Sequence, residues 1–143
     1  MANDSMSVEE YLATLENAAR KGNKYNARRV LYDGYWFDSQ AEANRYHELA
    51  LMQAAGNIAR LELQPEYVLL PAFRYRGKRE RAIKYRADFR YLRLSDGVTV
   101  IEDVKGMKTA LYLVKRKMLL AQLASSGGNV EFVEVENARK RRR

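Results

Sequence analysis

Apolar and polar residues alternate along this chain with two different periods, and each change of period marks an element. The pattern Ser7-Val8-Glu9-Glu10 has capping-box spacing, and Tyr11, Leu12, Leu15 and Ala19 follow at helical intervals. Together they predict a short helix over about residues 7–20, closed by Lys21-Gly22-Asn23. Val30-Leu31-Tyr32 and Tyr35-Trp36-Phe37 flank Asp33-Gly34, a strong signal for a two-residue hairpin turn. Asp38 and Ser39 open a second helix that runs to about residue 55 and stops at Gly56-Asn57. Its inward stripe is Ala43, Tyr46, Leu49, Ala50 and Gln53. Residues 58–70 read as an edge or bulged strand, because Gln64-Pro65 interrupts them. After a turn at Arg76-Gly77, residues 82–93 alternate cleanly: Ile83, Tyr85, Ala87, Phe89 and Tyr91 on one face, Lys84, Arg86, Asp88 and Arg90 on the other. Asp96-Gly97 turns the chain into a strand over 98–105, Thr109 caps a helix over about 110–124, and residues 130–135 form a last strand. Leu111, Val114, Met118 and Ala121 are the expected buried face of that last helix.

The succession is helix, hairpin, helix, three consecutive antiparallel strands, helix, strand. It predicts an α/β sandwich with a central mixed sheet flanked by helices. The segments are an N-terminal helical arm (1–22), one domain (23–136) and a basic tail (137–143).

Composition narrows the function. A chain of 143 residues with 47% apolar content makes a single domain with a real core. A net charge of +8 favours a polyanionic partner, nucleic acid first. The absence of cysteine removes disulfides, thiolate metal sites and cysteine nucleophiles, and suits a reducing compartment. No apolar run approaches the roughly 20 residues that cross a bilayer. The first residues have no signal-peptide pattern, so a cytoplasmic location is expected, that of the host cell if a phage encodes the chain. One histidine, His47, rules out His-cluster metal sites and is expected on a helix surface. Trp36 and Phe37 are expected in the core.

What chemistry remains must run on carboxylates and lysines. In the strand over 98–105, Asp103 and Lys105 share a face with Thr99 and Ile101, while Glu102 points the other way among valines. Asp88 lies on the neighbouring strand, close enough in topology to bring two carboxylates together. At ~4 Å two such charges repel by roughly 4 kcal/mol at an effective dielectric of 20. The pair therefore needs protonation, cationic neighbours or a metal, and an all-oxygen donor set points to Mg²⁺ or Mn²⁺. The bland alternative has weight: an Asp/Glu-x-Lys triplet is expected about once in a chain this long. Glu42 is either the last member of the capping box Ser39-Gln40-Ala41-Glu42 or a further ligand, and the cap is favoured. Basic residues interleave with aromatic ones around these acids. Lys24, Arg74, Arg76, Lys78, Arg79, Lys84, Arg86, Lys108 and Lys115 are candidate phosphate contacts, the Arg74–Arg79 group on a hairpin beside Asp88. Gln64 is a candidate neighbour of the site or a residue that satisfies a bulge.

At these residues the chain resembles a known superfamily. Glu42 on the first core helix, Asp88 at a strand and Asp103-Val104-Lys105 are similar to the motif of the PD-(D/E)xK nucleases. More closely, five blocks in order resemble a small phage-encoded family related to Holliday-junction resolvases and known as a domain of unknown function. They are Lys24-Tyr25-Asn26-Ala27, Phe37-Asp38-Ser39 with Glu42-Ala43, Leu63-Gln64-Pro65, Ile83-Lys84-Tyr85 with Ala87-Asp88-Phe89, and Glu102-Asp103-Val104-Lys105-Gly106. Ala87 stands where the superfamily name has proline. The resemblance implies a restriction-endonuclease-like αβββαβ core and Mg²⁺-dependent cleavage of DNA, with Mn²⁺ as substitute. Asp88, Asp103 and Glu42 become metal ligands, Lys105 orients water, and Gln64 neighbours the site. Branched or junction DNA and a homodimer are the expected substrate and assembly. The competing expectation is a basic DNA-binding protein without catalysis.

Overall fold

A computed structural model of the chain describes Val8, Glu9, Leu12, residues 29–105 and residues 108–136. Val8, Glu9 and Leu12 are helical; the rest of the expected first helix, Lys24 and the basic tail lie outside the described residues.

The domain starts with a hairpin, β1 (Val30–Tyr32) and β2 (Tyr35–Phe37). Asp33 and Gly34 have φ of 53° and 79°, the two left-handed positions of a type I′ turn that Asp-Gly tolerates at little cost. Helix α1 (Gln40–Ala54) follows, with the Ser39 hydroxyl accepting from the Glu42 N–H as its N-cap. Then come β3 (Ile58–Leu63), β4 (Glu66–Leu70), β5 (Phe73–Tyr75), β6 (Lys78–Glu80), β7 (Ile83–Arg86), β8 (Phe89–Arg93) and β9 (Val98–Lys105). Helix α2 (Ala110–Ser125), capped by Thr109, leads to β10 (Val130–Glu136).

The central sheet has the order β10-β9-β8-β3. β3, β8 and β9 run antiparallel in turn, and β10 lies parallel to β9 after the α2 crossover. The fold is therefore mixed α/β with a central mixed sheet, and the sheet and its helices follow the expected order.

Strand alternation puts a core on each face. Phe37, Ala43, Tyr46, Leu49, Ile58, Phe89, Tyr91 and Val100 bury together on the α1 side. Leu69, Tyr85, Ala87, Ile101, Tyr112 and Leu119 form the α2 side. Residues 82–93, expected as one strand, are two. The alternation survives because the chain changes face at Ala87-Asp88: Tyr85 and Ala87 pack under α2, Phe89 and Tyr91 under α1. β7 there leaves the central sheet and pairs with β4.

Four inward assignments are corrected. Val114 is 58% exposed, and Ala121 is exposed too. The buried residues of α2 are Leu111, Tyr112 and Leu119, because the helix is rolled to lay Tyr112 beside Tyr85. Gln53 is exposed, its Oε1 accepting from the Leu61 N–H at 2.9 Å. Trp36 is 54% exposed, since in so short a hairpin only alternate residues point inward and Phe37 takes that direction. His47 is exposed as expected and hydrogen-bonded to the Tyr32 hydroxyl. Among the described residues no helix is long and apolar enough to cross a membrane.

Candidate active site

The site begins with a ladder that stops. β8 and β9 pair in register up to Phe89 against Glu102, and one step further would set Asp88 against Asp103. At that step side chains join the backbone. The Asp88 N–H donates to the Glu102 carbonyl at 3.1 Å and to Asp103 Oδ1 at 3.1 Å. In return the Val104 N–H donates to Asp88 Oδ2 at 2.7 Å. Each carboxylate is thus anchored by a backbone N–H of the opposite strand, at the point where the chain changes face.

Burial acts on both acids. Asp103 is fully buried and its pKa is raised to about 6 by desolvation, with Lys105 and the Asp88 N–H pulling the other way and Glu134 adding to the rise. Asp88 is raised too, by desolvation first; the Val104 N–H and Lys105 oppose it. Asp103 Oδ2 has no hydrogen-bond partner, and the Lys105 Nζ stands 3.9 Å from it. The same ammonium lies 4.2 Å from the centre of the Tyr112 ring, a cation–π contact that holds it between the sheet and α2.

Glu42 arrives from the first turn of α1. Its backbone N–H is capped by the Ser39 hydroxyl, and its Oε2 accepts from the Asp38 N–H at 3.3 Å, one residue before the N-cap N–H that a capping box would use. Its carboxyl is also brought into the site. Desolvation raises its pKa to about 8, the charges of Asp88 and Asp38 add to the rise, and Lys105 opposes it. The cap does not keep the Glu42 carboxyl from facing the charges of Asp88 and Lys105.

Glu102, on the opposite face of β9, is as buried as Asp103 and is paired with Arg45 of α1, which also reaches Glu48 at 2.7 Å. An ion pair there offsets a charge that would otherwise be costly to bury. Sequence reading missed this partner, although Arg45 follows Glu42 by three positions and so shares its helix face. It also missed Asp38, whose charge acts on both Glu42 and Asp88.

The basic residues divide. Arg86 stands at the Glu66 end of the β4–β7 ribbon, and its charge reaches Asp88. Gln64, at a left-handed φ of 53°, gives its N–H to the Asp88 carbonyl at 2.9 Å, so it borders the site and satisfies the backbone between β3 and β4 at once. Lys84 pairs with Glu66 at 3.7 Å and Lys108 with Glu134 at 3.1 Å. Lys115 is half-buried on α2. Arg74, Arg76, Lys78 and Arg79 do not lie beside Asp88 as expected. The β5–β6 hairpin extends from the Leu70–Ile83 end of the ribbon, and five residues of strand from Ile83 to Asp88 span roughly 15 Å.

Asp88, Asp103 and Glu42 offer only carboxylate oxygen, which suits a hard divalent cation. Among the described residues no group of three or more His, Cys, Asp or Glu side chains is arranged to hold a metal ion. Mg²⁺ commonly takes one or two carboxylates and keeps its waters, so the pair Asp88 and Asp103, with the unpartnered Oδ2, fits it.

Fold and site describe a mixed α/β domain with buried acids and a lysine at the end of its central strands. Residues 22–137 match the model of a family described as protein of unknown function (DUF1064), and the chain belongs to that family. No curated protein matches it.

Proposed function

We propose that the chain is a metal-dependent endodeoxyribonuclease of the PD-(D/E)xK type, acting on branched or junction DNA in phage recombination or replication, as a homodimer. The observation that carries this reading is the reciprocal anchoring of Asp88 and Asp103, with Lys105 3.9 Å from the unpartnered Asp103 oxygen. Asp88 and Asp103 would hold Mg²⁺, or Mn²⁺ in its place, with Glu42 as a third acid. A bound divalent cation supplies charge that polarises a phosphodiester and acidifies water. Lys105, held against Tyr112, would orient the attacking water and stabilise the negative charge that develops on the phosphoryl oxygens. Arg86 provides a cation for the DNA backbone at the edge of the site. A chain without cysteine is suited to the reducing interior of a host cell.

The test compares wild type, Asp103→Ala and Lys105→Ala on four-way junction, flap, duplex and single-stranded DNA, with Mg²⁺ or EDTA. Wild type is expected to cut only with metal. Asp103→Ala should abolish cleavage and Lys105→Ala should slow it by about 10²-fold or more, both retaining DNA binding. Binding without cleavage by wild type on every substrate, with Mn²⁺ as well, would replace this reading with a non-catalytic DNA-binding protein.

A further inference from the structure

The β1–β2 hairpin shows the solvent two aromatic rings, Trp36 at 54% exposure and Tyr35 at 49%. Both line a cleft of about 360 Å³ whose wall also includes Arg29, Asp38, Gln64 and Arg86. The size is that of a small-ligand site. Its lining is more telling. The Arg29 guanidinium lies 5.3 Å from the Trp36 ring centre, so one cation already lies over an aromatic ring of the lining. Arg86 adds a second cation, and Gln64 and Asp38 add hydrogen-bonding groups that can address the edge of a planar ring. The cleft adjoins the acids: Gln64 donates to the Asp88 carbonyl, and the charges of Asp38 and Arg86 both reach the Asp88 carboxyl.

Aromatic faces beside two guanidiniums and an amide match a nucleobase with its phosphate. A base inside a duplex is stacked and paired, and presents neither its face nor its Watson–Crick edge. We infer that this cleft binds one unpaired nucleotide of the DNA strand next to the bond that is cut, with Trp36 and Tyr35 as the stacking surface. The inference rests on the nuclease reading for the role of the bound strand, and it names what in a branched substrate is recognised: a nucleotide left unpaired at the branch, as in a flap, or released from its pair there, as in a four-way junction.

Trp36 is the only tryptophan of the chain, so its emission reports on this cleft alone. The 143-residue chain in EDTA is titrated with a labelled oligothymidylate and with a blunt duplex of equal length, following tryptophan emission and label anisotropy together. The single strand is expected to quench the emission as it binds, and the duplex to bind with little change. Trp36→Ala should weaken single-strand binding roughly tenfold and duplex binding less than twofold, with Trp36→Phe close to wild type. Unchanged emission on a single strand that anisotropy shows to be bound overturns the inference; so does equal quenching by the duplex, or an equal loss of affinity for both. The wild-type titration decides even if Trp36→Ala does not fold. Quenching without any metal-dependent cleavage would sink the nuclease reading and leave the cleft, whereas cleavage with unchanged emission would sink the cleft alone.

Discussion

Asp103 and Glu42 are acids kept from water, and their behaviour with pH follows from that. Their pKa values rise from 3.8 to about 6 and from 4.5 to about 8. A carboxyl whose pKa is higher in the folded chain than in the unfolded one binds more protons when folded, so its contribution to stability is lost as pH rises through the folded value. The metal-free protein should therefore melt at lower temperature as pH goes from about 4 to 8, by several degrees. Asp103→Asn should flatten the part of that fall below about pH 6. On the nuclease reading, Mg²⁺ should raise the melting temperature more at pH 8 than at pH 5.5, because it would compete with protons for the same oxygens. Calorimetry of wild type and Asp103→Asn at about pH 4, 5.5 and 8, with Mg²⁺ and with EDTA, checks all three; a flat profile would mean that the two carboxyls titrate as they do in water. At this scale the Asp103 and Lys105 pair was legible, since strand parity alone puts both on one face with Ile101. The Arg45 partner of Glu102 was not, because 57 positions separate them and only the packing of α1 on β9 brings them together.

Elements were legible in their ends and less so in their rotation. Ser39 and Thr109 cap the two helices as their sequences suggest, each hydroxyl accepting an N–H three residues on. Caps are local, and the chain around them decides them. Which face of α2 turns inward is decided by what it meets. Val114 and Ala121 fit a helical period as well as Leu111 and Met118 do, but Tyr85 and Tyr112 pack together and roll the helix so that Leu119 is fully buried. Leu119→Ala should accordingly cost about 2–5 kcal/mol in urea unfolding, and Val114→Ala less than about 0.5 kcal/mol. Equal losses would put the helix in the orientation its periodicity alone suggests.

Among the described residues, two groups of candidate phosphate contacts lie apart. Arg86 borders the acids, while Arg74, Arg76, Lys78 and Arg79 sit on a hairpin beyond the far end of the β4–β7 ribbon. On the nuclease reading the hairpin grips DNA at a distance from the scissile bond. Replacing all four hairpin cations by glutamine should make the plot of log affinity against log salt shallower by about 3–4, one phosphate contact for each. Cleavage at saturating DNA should change little. A slope that moves by less than one would show that the hairpin stays clear of the backbone. The sequence by itself determined the order of elements, their caps, the Asp-Gly turn and the shared face of Asp103 and Lys105. These depend on sterics and periodicity within a few residues of chain. Only the tertiary structure decided that the chain changes face at Ala87-Asp88, that Asp88 stands opposite Asp103, that Arg45 covers Glu102 and that Trp36 faces solvent. Register and burial are set by packing energies summed over residues far apart in the chain, and no local pattern carries that sum.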